Sequence, residues 1–324
     1  MSGGRVWRLV RAGIVGSAVI GAALVVFGHA DLLGTGRALL HASPGWLLVA
    51  VVLQCVSLAA YVSLQRWLLT AGGATIRLRT LWSTVVLADA IASTVPLVGN
   101  AAGIAFSYRE FRRAHLPATT AATTPLLVAS VSVVTFVDLA ALGGVLSRET
   151  VPAGAGLLAL VATGAVVACW SSRGRSSAAS GCPVDASGRR AAPRRSAARL
   201  VRDVAAAFTR LDPRALGHAF LLGSSRWLAD ALSLAAAVAA TGASVPWDHI
   251  LLAWAAGAAV TTLGVTPNGV GTADAALVGV LAAAGLSPAA AVAASVLYRV
   301  VLLKPLPRIG WLLYRQRRLS ASTG

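Results

Sequence analysis

The sequence contains little charge. Only 12% of its 324 residues are Asp, Glu, Lys or Arg, while 57% are hydrophobic and the mean hydropathy is +0.75. A soluble domain carries about 25% charged residues, so these few charges cannot cover a water-exposed surface of this size. The shortage argues against a soluble enzyme, a secreted disulfide scaffold and a disordered chain.

The motifs of several enzyme and metal-binding classes are also missing. The single lysine, Lys304, is followed by Pro305, so there is no Walker A loop, which needs Gly-Lys-Ser/Thr. The five histidines form no HExxH motif, and no Gly-x-Ser-x-Gly elbow occurs. Cys55, Cys169 and Cys182 are odd in number and lack metal-ligand spacing. We therefore expect no ATP motor, no disulfide framework, no metal and no cofactor.

Long apolar runs fill the chain instead, and several reach the roughly 20 residues needed to cross a bilayer. Two further apolar stretches, 81–108 and 250–286, are interrupted at Pro- and Gly-containing segments, 96–100 and 266–271. The pattern predicts an all-α polytopic membrane protein with two broken helical hairpins and about six full spans. The predicted spans are 7–28, 46–70, 118–146, 152–170, 215–240 and 287–303.

The basic residues predict the orientation of the chain. Lys and Arg number 28 against 11 acidic residues, and only Arg37 and Arg148 fall on the side opposite the main clusters. Cytoplasmic loops carry the Lys/Arg excess, so we expect a cell-membrane protein with both termini cytoplasmic and no nucleic-acid partner. The N-terminal run is interpreted as a retained helix rather than a cleaved signal.

The same reasoning divides the chain into two membrane halves. Residues 1–170 form the first half and residues 215–324 the second. Between them, 171–214 is predicted to be a cytoplasmic linker, rich in Ser, Ala, Gly and Arg. Within this linker, 196–211 reads either as an interfacial amphipathic helix near anionic lipid or as a solvated linker helix.

Each broken stretch starts and ends on the same side of the membrane in this scheme. Stretch 81–108 is flanked by cytoplasmic arginines at both ends, which predicts a re-entrant hairpin; the alternative is an ordinary kinked helix. Pro96 and Pro117 are 21 residues apart, as are Pro267 and Pro288. With flanking spans of opposite direction, this spacing predicts the inverted repeat found in many secondary transporters.

Ionisable residues inside apolar spans are costly and are functional candidates by default. Arg226 and Asp230 are one helical turn apart, so they are predicted either to pair structurally or to contact a lipid headgroup. The candidates are Asp89, Asp138, Arg226, Asp230, Asp274 and Arg299. Asp138 fits the outer end of its span, and Asp89 is balanced between a structural and a functional role.

Asp274 and Arg299 are the strongest candidates. Asp274 lies just after the second interruption, and Arg299 lies about 12 residues, or roughly 18 Å, into the last span. This depth brings the guanidinium toward the hairpin tip, although the side chain could instead snorkel toward the level of Lys304. We expect Asp274 and Arg299 to pair, and an anionic headgroup to compete for Arg299.

Each interruption is predicted to start a new half-helix, near Ala101 and near Thr272. The free N–H groups and dipole of such a start favour an anion. Glycines permit tight turns and close backbone approach, and neutral polar side chains add hydrogen-bonding groups. The substrate-binding candidates at the two interruptions are Pro96, Gly99, Asn100, Pro267, Asn268, Gly269, Gly271 and Thr272.

The second half resembles a known family. Its segments are 265–277 (VTPNGVGTADAAL), 284–288 (AGLSP) and 297–299 (LYR). They resemble the membrane region of lysylphosphatidylglycerol synthases and of their stand-alone flippase-like relatives, and the likeness extends over about residues 10–315. Asn268 stands where the family usually has Gly, and Asp274 where it usually has Glu.

The resemblance implies movement of an anionic or aminoacylated phospholipid, or a polyprenyl-phosphate lipid, between leaflets. Its partners would be membrane lipids and anionic headgroups, and no aminoacyl transfer or other enzymatic activity is expected of this chain. Transport would be passive or ion-coupled, with Asp89, Asp230 and Asp274 as proton-site candidates. The alternatives are a small-solute or ion permease, and a non-transporting scaffold for an envelope-lipid enzyme.

Overall fold

A computed structural model of the protein describes residues 32–94, 99–147, 206, 212–263 and 269–303. The predicted spans 7–28 and 152–170 lie outside the described residues. So does most of the predicted linker 171–214, of which only Ala206 and residues 212–214 are described. Ala206, which is helical, is the one described residue of the predicted amphipathic helix 196–211.

Every regular element in the described residues is a helix, which agrees with the all-α prediction. The helix over 32–40 was not predicted. In chain order the helices are α1 (Leu32–Leu40), α2 (Pro44–Ala71), α3 (Leu78–Thr94), α4 (Gly99–Arg113), α5 (Ala118–Leu146), α6 (Pro213–Ala240), α7 (Trp247–Leu263), α8 (Thr272–Ala283) and α9 (Pro288–Leu303).

Two of the described helices, α2 and α5, are long and apolar enough to cross a membrane. They have 28 and 29 residues, or about 42 and 43 Å at 1.5 Å per residue. Both coincide with predicted spans. Proline at the first helical position of α2, Pro44, is favourable because its missing N–H would be unpaired there in any case.

Among the described helices, α2 and α6 form the most extensive packing, and they run antiparallel. At one end, Ser43 N–H donates to the Ala240 carbonyl at 2.9 Å. At the other end, the Trp67 indole donates to the Ala215 carbonyl at 2.9 Å. This pair joins the two halves of the chain, so residues that are far apart in sequence face each other across it.

Each interrupted stretch forms two helices packed antiparallel, α3 with α4 and α7 with α8. A Cβ added to Gly103 would lie 2.8 Å from the Ala88 carbonyl oxygen, so the α3–α4 contact requires glycine there. Helix α4 begins at Gly99, two residues before the predicted start, and α8 begins at Thr272 as predicted.

Small residues also bring α5 close to the second half. A Cβ on Gly143 would lie 2.8 Å from the Leu252 backbone nitrogen in α7, and one on Gly223 in α6 would lie 3.0 Å from Thr135 in α5. Such close approach is how helices associate tightly in lipid, where there is little hydrophobic drive. The largest buried cluster lies among α6, α7, α8 and α9, and it surrounds the polar groups described next.

Candidate functional site

Arg299 in α9 reaches the start of α8. Its Nε lies 2.6 Å from Asp274 Oδ1, and the two side chains are 17% and 18% exposed. The Ser295 hydroxyl, one turn earlier in α9, donates to the same oxygen at 2.9 Å. The predicted pairing of Asp274 and Arg299 is confirmed, and the pair remains partly accessible.

The chain enters α8 through two residues in the left-handed region, Gly269 (φ 65°) and Gly271 (φ 84°), which L-residues with side chains rarely adopt. Asp274 Oδ2 accepts the Gly271 N–H at 2.9 Å. Arg299 also donates to the Gly269 carbonyl at 3.1 Å, and the Thr272 hydroxyl contacts the same carbonyl at 3.4 Å. The two residues of the ion pair therefore also stabilise the turn before α8, through their hydrogen bonds to its backbone.

This arrangement occupies one of the N–H groups that were expected to be free for an external anion at the second interruption. The carboxylate of Asp274 caps the Gly271 N–H, just before the start of α8. A carboxylate is stabilised at a helix start by the same dipole that would favour a phosphate. An external anion would reach this position by displacing Asp274 from Arg299 or from the helix start.

Asp230 in α6 is a second polar centre. Its Oδ1 accepts hydrogen bonds from Gln54 of α2 at 2.6 Å and from the Tyr298 hydroxyl of α9 at 3.0 Å. Its Oδ2 accepts one from the Trp254 indole of α7 at 2.9 Å. All three donors are neutral, and they bring helices from both halves of the chain onto one carboxylate.

Arg226 does not pair with Asp230 in the described residues, so the first of the two predicted alternatives, the structural ion pair, is wrong. Its guanidinium stacks over the rings of Tyr61 at 4.0 Å and Trp227 at 4.1 Å, and it donates to the Ser132 hydroxyl at 3.3 Å. The physical reason is that Asp230 meets three donors from other helices, while the aromatic rings stabilise the cation.

Asp89 in α3 has an exposed side chain. Helix α3 packs against α2 and α4, and no hydrogen bond or ion pair joins Asp89 to the other described residues. The described structure therefore places Asp89 outside the hydrogen-bond networks of Asp230 and Asp274.

The two polar centres are joined by adjacent residues of α9. Tyr298 contacts Asp230, and the next residue, Arg299, contacts Asp274. Three of the six predicted interior ionisable residues, Asp230, Asp274 and Arg299, are thus linked through α9. Arg226 lies one helical turn from Asp230 on α6, and Asp138 stands apart on α5. No other charged group of the described residues acts on Asp138.

The first interruption contributes less to this cluster. At the start of α4, Gly99 packs so tightly on the Ala92 carbonyl that a Cβ would overlap it, and Asn100 is exposed. Within the described part of the chain, no hydrogen bond links Asn100 to the second-half residues. Three candidates, Pro96, Pro267 and Asn268, lie outside the described residues.

The partners of the charged groups were mostly missed in the sequence. Gln54 gave a usable signal, because an amide in an apolar span needs a hydrogen-bond partner. The missed residues are Gln54, Tyr61, Ser132, Trp254, Ser295 and Tyr298. Among the described residues, no group of three His, Cys, Asp or Glu side chains could hold a metal ion.

Comparison with known proteins gives one family. The family model described as "Lysylphosphatidylglycerol synthase TM region" matches residues 12–306, which is most of the chain. No curated protein sequence matches it. The matched range includes both helical pairs and every ionisable residue of the cluster.

Proposed function

The chain belongs to the family of lysylphosphatidylglycerol synthase transmembrane regions, and from this premise we propose that it moves a lipid between the leaflets of the cell membrane. The family links the chain to membrane lipid metabolism or transport. The proposed cargo is an anionic or aminoacylated phospholipid, or a polyprenyl-phosphate lipid. We propose no enzymatic activity for the chain.

The observation that carries this proposal is the Asp274–Arg299 pair at the start of α8. An arginine about 16 Å into α9 is partly accessible and is held by a carboxylate and a backbone carbonyl. A lipid phosphate accepts the same guanidinium donors that Asp274 now accepts. A zwitterionic headgroup could replace both partners, with its phosphate on Arg299 and its amine on Asp274, while its tails stay in the bilayer.

The short helices support a re-entrant arrangement. Helix α8 has 12 residues and α4 has 15, which gives lengths of about 18 and 22 Å against a hydrocarbon core of about 30 Å. Neither can cross the membrane alone. We propose that the α3–α4 and α7–α8 pairs are re-entrant hairpins, whose interrupted backbone is tolerated where protein or a water-filled cavity covers it.

Helix lengths and caps support an inverted repeat. Helices α2 and α6 both have 28 residues, α3 and α7 both have 17, and each second helix starts 169 residues after the first. The left-handed caps recur at the same offset, with Gly73 (φ 74°) matching Gly242 (φ 79°). Because α2 and α6 pack antiparallel, we propose that the halves are related by a pseudo-two-fold axis that crosses this pair.

A leaflet-exchange assay tests the proposed transport. The purified chain is reconstituted in liposomes that carry fluorescent phosphatidylglycerol, phosphatidylethanolamine or a short polyprenyl phosphate, and a membrane-impermeant quencher reports the outer-leaflet fraction over time. We expect Arg299→Ala to slow exchange of the preferred lipid at least about tenfold, equivalent to about 1.4 kcal/mol. Arg299→Lys keeps the charge but loses the two-pronged geometry, so its rate should be intermediate.

Arg37→Ala is the matched control, because Arg37 is exposed on α1 and lies outside the polar cluster; its rate should equal that of the wild type. Equal rates for wild type and Arg299→Ala, or no exchange of any of the three lipids, would contradict lipid transport. Flux of a small solute without lipid exchange would favour the permease. If cells lose function on deletion of 171–214 but not on replacement of Asp274 and Arg299, the scaffold is favoured.

A further inference from the structure

Arg226 lies at the middle of α6. The helix runs from Pro213 to Ala240, so the residue is about 20 Å from each end at 1.5 Å per residue. An arginine side chain is always charged in proteins. A charge at this depth in a membrane protein is costly, and by default it marks a functional site. The groups that compensate this charge are therefore informative.

No carboxylate contacts the Arg226 guanidinium in the described part of the chain. Its central carbon lies 4.0 Å from the centroid of the Tyr61 ring and 4.1 Å from that of Trp227. Of its five N–H groups, one donates to the Ser132 hydroxyl at 3.3 Å, and the other four have no described oxygen acceptor. Aromatic rings attract a cation but do not neutralise it. The half-buried side chain thus keeps its charge and most of its donors for a ligand.

Asp230, one turn further along α6, carries the opposite charge. An ionised carboxylate has about four acceptor positions. Oδ1 accepts hydrogen bonds from Gln54 and Tyr298, and Oδ2 accepts one from the Trp254 indole. One acceptor position therefore remains, on Oδ2. All three donors are neutral, so the negative charge has no cationic partner among the described residues.

The structure holds these two opposite charges apart. Side chains four residues apart on a helix are neighbours, with Cβ atoms about 5–6 Å apart, and opposite charges attract strongly where water is scarce. Aromatic rings nevertheless hold Arg226, while donors from three other helices hold Asp230. The contrast is Asp274 with Arg299, which meet at 2.6 Å, so a ligand has to break that ion pair. At Arg226 and Asp230 no ion pair has to be broken.

We propose that Arg226 and Asp230 form a second headgroup site, which binds a zwitterionic phospholipid whose phosphate and primary amine are joined by a short chain. The phosphate oxygens accept from the remaining N–H groups of Arg226, and the ammonium donates to the remaining position of Asp230 Oδ2. The site and the headgroup each have no net charge, so binding leaves no unpaired charge in the membrane.

The second site is linked to the first through α9. Tyr298 donates to Asp230, and the next residue, Arg299, contacts Asp274. In this chain of contacts Asp230 stands between the two arginines, so a headgroup bound at Arg226 is close to the ion pair that it has to break next. Passage of the headgroup between the two sites rests on the proposed lipid transport; binding at Arg226 and Asp230 does not.

Native mass spectrometry of the full chain in detergent micelles tests the site without any transport. Phosphatidylethanolamine, phosphatidylcholine and phosphatidylglycerol with identical acyl chains are titrated separately, and the fraction of lipid-bound chain gives each Kd. Phosphatidylglycerol lacks the amine, and phosphatidylcholine lacks an N–H donor. We expect phosphatidylethanolamine to bind about tenfold more tightly than either, the factor that one charge-assisted hydrogen bond supplies. Equal affinities for the three lipids would overturn the proposal.

Two variants assign the two charges of the headgroup. Asp230→Asn should weaken binding of phosphatidylethanolamine about tenfold without weakening that of phosphatidylglycerol, so that the preference disappears. Arg226→Gln should weaken binding of both lipids. A purely structural role of Asp230 would instead give equal losses for both lipids, and this result would overturn the site. Arg37→Gln, on the exposed surface of α1, is the control and should change neither affinity. If a variant does not fold, the comparison of the three lipids on the wild type still decides.

The same titrations in Arg299→Gln separate the two sites. The preference for phosphatidylethanolamine should persist there, because Arg226 and Asp230 are unchanged. Loss of the preference in Arg299→Gln together with its retention in Asp230→Asn would overturn the second site and leave the transport proposal intact. A normal preference without leaflet exchange in liposomes would instead contradict the transport proposal alone.

Soluble phosphoethanolamine distinguishes a lipid from a free headgroup of the same chemistry. Added at the concentration of the lipid, it should not displace phosphatidylethanolamine, because the acyl tails contribute apolar burial that the free headgroup lacks. Displacement at equal concentration would assign the site to a soluble zwitterion and would overturn its assignment to a lipid.

Discussion

The energetic link between Asp274 and Arg299 can be measured with a double-mutant cycle. The variants are Asp274→Asn, Arg299→Gln and the combination of the two. Asp274 accepts bonds from Gly271 N–H, the Ser295 hydroxyl and Arg299. Loss of its charge weakens all three, and Arg299 loses its carboxylate partner while it keeps the Gly269 carbonyl as an acceptor.

The expected magnitude follows from burial. Removal of one partner from a fully buried ion pair costs about 3–5 kcal/mol, and both side chains here keep 17–18% of their surface exposed. We therefore expect about 3 kcal/mol for each single variant, the lower end of that range. The double variant should cost less than the sum of the two by about 2 kcal/mol, because no unpaired charge remains.

Thermal unfolding in detergent micelles, followed by circular dichroism at fixed pH and protein concentration, measures this cycle. At about 2 °C per kcal/mol for a chain of this size, each single variant should lower Tm by about 6 °C. Additivity would predict a loss of about 12 °C for the double variant, whereas the paired geometry predicts about 8 °C.

The control is Arg37→Gln, an exposed arginine on α1, for which the expected change is within about 0.5 kcal/mol of zero. An additive double variant would refute the reasoning, because it would mean that the two residues do not interact in the folded protein. Single variants that unfold at the wild-type temperature would refute it equally.

Three further predictions use the same unfolding assay. Gly103→Ala should destabilise the protein by about 1–3 kcal/mol, because the new Cβ would press on the backbone of the facing helix. The control is Gly217→Ala, whose new Cβ meets nothing within 4 Å, and it should be neutral or stabilising by up to about 1 kcal/mol. Equal losses of stability in the two variants would contradict the close approach of α3 and α4. His115→Gly should raise stability by about 0.5–1 kcal/mol, since the residue has φ 63°, whereas His115→Ala should bring no gain. Trp254→Phe removes a hydrogen-bond donor to the Asp230 carboxylate and should lower stability by about 2 kcal/mol. Trp227→Phe loses a hydrogen bond to the Ser132 carbonyl and should lower stability by about 1 kcal/mol. The reverse order of the two losses would contradict the Asp230 network.

The long helices could be predicted from the sequence because their apolar runs are continuous. Helices α2 and α5 match predicted spans to within two residues at each end. The short α1 was missed for the opposite reason: it has only nine residues and contains Gly34 and Gly36, both poor helix formers. Its position against α9 is a tertiary contact that local pattern cannot reveal.

Part of the candidate site could also be predicted from the sequence, and part could not. The Asp274–Arg299 pair could be predicted because one residue lies just after an interruption and the other lies at a known depth in the next span. Of the two alternatives for Arg226 and Asp230, the ion pair was wrong, because helical spacing brings two side chains close without making each the preferred partner of the other. The partners of Asp230 come from distant helices, and Gln54 lies 176 residues away, so only the packing of the two halves could identify them.

The cap of α8 has a consequence for affinity. Because Asp274 is attached to the helix whose start it caps, it competes with any incoming phosphate as an intramolecular ligand, at an effective concentration that dilution cannot lower. Without a bound lipid, Asp274 thus occupies the position that the phosphate would take, and its negative charge balances that of Arg299. A phosphate that has to displace Asp274 binds weakly and dissociates quickly. Weak binding and fast release suit a transporter better than a protein that retains its ligand.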